Sequence, residues 1–196
     1  MDKTRRFSFP LVTKMASWAM PVAVIAYPLV VWCGLKTWGI RILAPVLMAI
    51  FILRLLTFRG KLSQLTFFGK AIAVAGIVLV GTSILLRETS MLLYYPVAVN
   101  LLLLGLFFSS LRASQTLVER IARLDEPDLP PEGVVYTRRV TRAWCIFFVC
   151  NGALALYTCL KGDMALWALY NGGISYLLIG LLMGIEWIVR KRLRHP

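Results

Sequence analysis

The stretch LRASQTLVERIARLDEPDLPPEGVVYTRRVTR, from Leu111 to Arg142, decides how the rest of the chain is read. From Arg112 to Arg142 it carries six arginines and five acids, and it separates two blocks of apolar sequence. A helix that crosses a bilayer needs about 20 mostly apolar residues. Six windows meet this condition, at 16–35, 38–56, 71–86, 91–111, 143–160 and 165–189. Hydrophobic residues make up 59% of the 196 positions, too many for a chain whose whole surface must meet water. The expectation is an all-α polytopic membrane protein, one integral membrane domain over 1–196, with 112–142 as its cytoplasmic loop.

The basic residues test the number of spans. With the N-terminus in the cytoplasm, the inner segments hold Lys3, Arg5, Arg6 and Lys14, then Arg54, Arg59, Lys61 and Lys70. The arginines of 112–142 follow, and Arg190, Lys191, Arg192 and Arg194 complete the set. Of 22 lysines and arginines, all but Lys36, Arg41, Arg87 and Lys161 fall on that side, the bias expected of cytoplasmic flanks. An odd number of spans scrambles it. The reading is six helices with both termini cytoplasmic, joined outside by the short connections Lys36-Thr37, Arg87 to Ser90 and Lys161 to Met164, which force neighbours into antiparallel hairpins. Arg41 and Arg54 bound the second helix and are expected to snorkel to its two ends. The basic N-terminus leads into a run as long as a span, so it reads as a retained first helix rather than a cleaved signal.

Within the polar interval, Leu117, Ile121 and Leu124 recur at helical spacing and Glu119 sits one turn before Arg123. This predicts an amphipathic helix over Thr116–Leu124 lying at the interface. DEPDLPPEG, from Asp125 to Gly133, then stops any helix, and the fifth span restarts near Val134 to Thr137.

Polar groups in hydrocarbon are costly enough to be singled out. Asn100 and Asn151 lie near the middles of the fourth and fifth spans and reach the same depth. A hydrogen bond between them makes them interhelical glue, and the alternative is a substrate contact. Asn171, nearer the outer surface, is a candidate to line an outward cavity with Tyr94, Tyr95 and Tyr170, against the plainer reading of an aromatic belt. Glu186 stands four residues before Arg190 and reads as an interfacial ion pair or as a proton or cation site. Arg138, Arg139 and Arg142 suit the phosphate of an anionic headgroup, although cytoplasmic flanks look alike with or without such a ligand. Gly173, Gly180 and Gly184 form a small-residue stripe on the last helix, for seating another helix or a second copy of the chain. AYPLV at Ala26 and YYPVAV at Tyr94 repeat a Tyr-Pro pair, too short a match to establish an inverted repeat.

Chemistry is poorly supplied. The single histidine, His195, removes Ser-His-Asp, Cys-His and histidine-based metal sites. Cys33, Cys145, Cys150 and Cys159 show no ligand spacing and read as packing residues. The net charge of +13 is explained by lipid headgroups and topology, leaving no surface for nucleic acid. No enzyme, cofactor or metal is expected.

From Gln115 to Tyr157, QTLVERIARLDEPDLPPEGVVYTRRVTRAWCIFFVCNGALALY resembles the corresponding region of the intracellular septation protein A family of bacterial inner-membrane proteins. AYPLVVWCGL is similar to that family's opening helix. YYPVAVN, VERIARL, LYNGGISY and GIEWIVRKR are similar to a branch of small membrane proteins often encoded among fatty-acid-synthase-like genes of aryl polyene pathways. The resemblance implies an inner-membrane role in cell-envelope biogenesis, with division, wall-synthesis or acyl-pathway proteins as partners, and it carries over no catalytic residue. The expectation is a non-enzymatic accessory or scaffold. Its rival is a lipid or acyl-product transporter using Asn100, Asn151, Asn171 and Glu186.

Overall fold

The computed structural model describes residues 27, 28, 30–57 and 63–194. Residues 16–26 of the first expected span, the basic Lys3, Arg5, Arg6, Lys14, Arg59 and Lys61, and His195 lie outside the described residues. Among the described residues the protein is all-helical and no strand forms. Helix α1 covers 27, 28 and 30–37. It is followed by α2 (Gly39–Thr57), α3 (Ser63–Leu86), a 3-10 segment (Thr89–Tyr94) and α4 (Tyr95–Ser110). Then come α5 (Leu117–Asp125), α6 (Pro131–Lys161), α7 (Met164–Leu169), a π-helical segment (Tyr170–Ile174) and α8 (Ser175–Arg194). Four stretches, Thr66–Leu86, Thr89–Ser110, Pro131–Lys161 and Met164–Lys191, are long and apolar enough to cross a membrane.

Three tight connections pivot on residues in the left-handed region: Gly39 after α1, Arg87 after α3 and Gly162 after α6. The turn at Arg87 is a Schellman motif, with Glu88 N–H donating to Ser83 O and Arg87 N–H to Ile84 O, so the last carbonyls of α3 are satisfied. Ser83, fully buried, adds its hydroxyl to Glu88 O at 2.6 Å. At Gly162 the chain reverses at once into α7, whose N-cap Asp163 accepts from Ala165 N–H and Leu166 N–H.

The interval 112–142 holds the expected helix, as α5, and the start of α6. Thr116 caps α5, its Oγ1 accepting from Glu119 N–H, and the helix ends at Asp125. The proline pair does not delay the next helix, because Pro131 occupies its first turn, where the missing N–H has no intrahelical partner to lose. Helix α6 therefore runs unbroken for 31 residues, and Arg138, Arg139 and Arg142 sit on helix. Similarly α3 starts at Ser63, ahead of the expected 71–86, since Ser63 to Lys70 contains no proline and only one glycine, Gly69.

Helices α4 and α6 run in opposite directions, since Leu93 meets Cys159, Asn100 meets Asn151 and Phe107 meets Phe148. The apolar core gathers at the 3-10 end of this pair, where Val31, Leu43, Leu47, Ile72, Val80 and Leu92 are joined by Trp167. Helix α8 contrasts with all of this. Among its described side chains Ser175 alone is buried. The glycine stripe expected to seat a neighbour meets none: a Cβ built at Gly173, Gly180 or Gly184 has nothing within 4 Å among the described residues. With so many of its apolar side chains exposed, this surface suits lipid or another helix.

Candidate functional site

The polar residues singled out in the apolar spans converge on one seam between α4, α6 and the π segment. Asn151 Nδ2 donates to Asn100 Oδ1 at 3.0 Å. Asn100 Nδ2 donates in turn to Pro96 O at 2.8 Å, the carbonyl one turn back on its own helix. Tyr170 completes the group, its hydroxyl donating to Asn151 Oδ1 at 2.9 Å. Gly152 makes the approach possible: a Cβ there lies 3.2 Å from Asn100 Cβ, tighter than nine in ten real contacts of that kind.

Asn171 belongs to a second group toward the 3-10 end. Its Nδ2 donates to Thr158 Oγ1 at 3.1 Å and to Trp167 O at 3.0 Å, while Thr158 donates to Ala155 O. Of the residues weighed with it for an outward cavity, Tyr170 lies next to it on the π segment; Asn171 itself is buried, bonded to Thr158 of α6 and to Trp167. The π segment explains this. The wider turn admits one more residue than an α-helix of the same rise, and Tyr170 and Asn171, adjacent in sequence, both reach α6. A periodicity of 3.6 has no means of foreseeing that.

The carbonyls of the 3-10 segment fasten the same end. Leu92 O accepts from Tyr27 OH at 3.0 Å, and Leu93 O accepts from Trp167 Nε1 at 3.0 Å and Cys159 Sγ at 3.1 Å. Cys159 is a packing residue as expected, with a weak bond to the backbone as well. Trp167 and Thr158 were missed among the apolar letters around them. The available signals were a buried indole needing a partner and Thr158 lying two turns beyond Asn151 on the same face of α6.

Tyr95 lies elsewhere. Its ring packs on Tyr27, with centroids 4.2 Å apart, and on Phe51 at 5.1 Å. The two Tyr-Pro pairs thus bring their tyrosines together. Tyr95 is 2% exposed, and its hydroxyl is buried without a hydrogen-bond partner among the described residues. Arg54 lies one turn beyond Phe51 on α2, with its Nε and Nη1 buried.

The charged candidates sit at the other end of the seam. Arg138 Nη2 donates to Leu111 O at 2.7 Å, satisfying a carbonyl at the end of α4 where a cation is favoured. Arg139 and Arg142 are exposed beside it, and Arg112 lies over the Phe108 ring at 4.9 Å. On the same helices Phe107 with Phe148, Trp144 with Phe147 and Phe147 with Phe148 pack edge to face, and Phe107 is tilted against Trp144. Glu119 is buried and holds Arg123 through Oε1 at 3.0 Å, and Arg123 Nη1 reaches Pro127 O. This fixes the exit from α5. On its outer side Ile121 and Leu124 are 42% and 49% exposed. Glu186 pairs with Arg190 at 3.5 Å, and its backbone carbonyl accepts from Tyr136 OH at 3.2 Å. No cluster of His, Cys, Asp or Glu suited to a metal occurs among the described residues. No family model, curated protein or solved structure matches the chain.

Proposed function

We propose that this chain is a non-enzymatic accessory or scaffold protein of cell-envelope biogenesis in a bacterial inner membrane. It crosses the bilayer six times with both termini in the cytoplasm, and it meets its partners through the 112–142 end. The septation protein A-like resemblance of residues 115–157 belongs to the same reading, and so does an acyl-lipid pathway as its setting.

One observation supports it above the rest. The amides in the middle of the bundle are spent on one another and on Pro96, Thr158 and Trp167. Each such bond is worth about 0.6 kcal/mol, with an upper range near 1.7, and together they act as fasteners of α4 to α6 and α7. A transport path through Asn100, Asn151 and Asn171 requires those amides to turn toward a substrate, at the cost of the bonds that join the helices. What remains for recognition is the end bearing α5, with exposed Ile121 and Leu124 beside the exposed Arg139 and Arg142. An amphipathic helix of this kind rests on headgroups or on an apolar patch of a partner.

The test is photo-crosslinking in the native host from single positions at Ile121, Leu124 and Arg139 of the full chain. The expected result is a small set of protein adducts drawn from division, wall-synthesis or acyl-pathway machinery, lost when the crosslinker is moved to lipid-facing Leu177. Adducts with lipid alone from all three positions overturn the scaffold reading.

A further inference from the structure

The side of α6 that turns away from α4 carries a pattern of its own. Val135, Arg139, Arg142, Ile146 and Val149 follow one another at intervals of four and three, the spacing of one helix face, and all five are exposed. Thr141, Cys145, Phe148 and Asn151, which are buried, lie on the opposite side. Ile146 and Val149 are 66% and 54% exposed on a helix long and apolar enough to cross a membrane. This stripe therefore meets acyl chains, and two arginines stand at its end.

Their depth follows from the helix itself. From Ala143 to Leu160 no charged residue interrupts α6. At 1.5 Å per residue that run is about 27 Å long, close to a hydrocarbon layer of about 30 Å. Arg142 thus stands at the edge of the hydrocarbon, and Arg139 lies about 4.5 Å further along the axis, among the headgroups.

The structure divides the three arginines of this segment. Arg138 is held by α4, through its bond to Leu111 O at 2.7 Å. Among the described residues no hydrogen bond or ion pair holds Arg139 or Arg142. Glu132, the one carboxylate of α6, is seven residues from Arg139, about 10.5 Å along the axis. Glu186 is paired with Arg190. Residues three apart on a helix have Cβ atoms about 5–6 Å from each other, so the two guanidinium groups repel. The repulsion strengthens toward the hydrocarbon, where the dielectric constant falls. An anion between them removes it, and a phosphate has oxygens enough to accept from both planar forks at once.

We propose that Arg139 and Arg142 form a headgroup site for an anionic phospholipid, whose phosphate lies between the two guanidinium groups while its acyl chains run along Ile146 and Val149. A zwitterionic lipid binds less well, because its own cation repels the arginines and competes for the phosphate. The site is apart from Ile121 and Leu124, and it stands whether or not α5 docks a protein partner.

The experiment is a lipid titration of the full chain in detergent, read by native mass spectrometry, with phosphatidylglycerol against phosphatidylcholine of the same acyl chains. Wild-type protein is expected to bind phosphatidylglycerol about tenfold or more tightly, the scale of a hydrogen bond to a charged group. Arg139→Gln and Arg142→Gln are each expected to remove most of that preference. Both positions are exposed, so thermal unfolding without added lipid is expected to stay unchanged, which separates lost binding from lost folding. Lys161→Gln, at the other end of the same helix, is expected to leave the preference intact. Equal affinity of wild type for the two lipids, an unaltered preference in both glutamine variants, or an equal loss in Lys161→Gln overturns the proposal. Displacement of phosphatidylglycerol by inorganic phosphate also overturns it, by assigning the site to a free anion.

Discussion

Tyr95 and Tyr170 are both buried phenols at helix interfaces of the same bundle, yet their hydroxyls are treated in opposite ways. Tyr170 donates to Asn151 Oδ1, and Asn151 donates to Asn100, so every step is taken up inside the protein. Tyr95 packs its ring on Phe51, and its hydroxyl is buried without a hydrogen-bond partner among the described residues. In a medium without water, a closed polar chain is a fastener, while an open hydroxyl carries an unreturned desolvation cost. The same residue type thus takes two roles, decided by its neighbours.

The largest effect is expected where the closed chain is cut. Asn151→Leu leaves Asn100 Oδ1 and the Tyr170 hydroxyl buried without partners, and about 2 to 3 kcal/mol of stability is lost. Thermal unfolding of the purified chain and its abundance in the membrane should both fall. If abundance holds while a transport activity disappears, the amides are not fasteners and the contrast between the two tyrosines collapses. Gly152→Val comes next. The added methyls must push Asn100 away from α6, and a cost of about 2 kcal/mol is expected from overpacking. A suppressor that shortens Asn100, such as Asn100→Ala, should recover part of it. In a double-mutant cycle of Asn100→Leu and Asn151→Leu, a coupling of about 1 kcal/mol measures the bond itself. The smallest effects carry the comparison directly. Tyr170→Phe should cost about 1 kcal/mol, whereas Tyr95→Phe should change stability by less than about 0.5 kcal/mol in ligand-free protein. Equal costs for the two would mean that the Tyr95 hydroxyl is satisfied in solution, by water or otherwise.

A further contrast separates the seam from α8. Helix α6 has a face of buried residues from Thr137 through Thr141, Cys145, Phe148, Asn151 and Ala155 to Thr158, each about one helical turn or less from the next. Helix α8 has small residues at similar spacing but no neighbour against them among the described residues. Small residues permit close approach and do not supply the partner, and among the described residues no helix is seated on this stripe.

The letters of the chain determined the class. Long apolar runs leave a helix as the way to satisfy backbone groups in a bilayer, so the all-helical character and the polar interval after Leu111 were legible from composition and spacing. The meeting of Asn100 with Asn151 was legible too, because amides near the middles of two opposed spans reach the same depth. Tertiary structure decided the rest. The restart near 134–137 was legible, whereas its start three residues earlier depended on Pro131 sitting in a first turn. Asn171 turned to Thr158 because a π segment changed the helical register. Tyr27, Phe51, Arg54 and Tyr95 come from three helices and share no local pattern; the clamp around the Tyr95 hydroxyl exists only once those helices pack. Local sequence governs periodicity and turn chemistry, while the fate of a buried polar atom depends on which distant residue arrives opposite it.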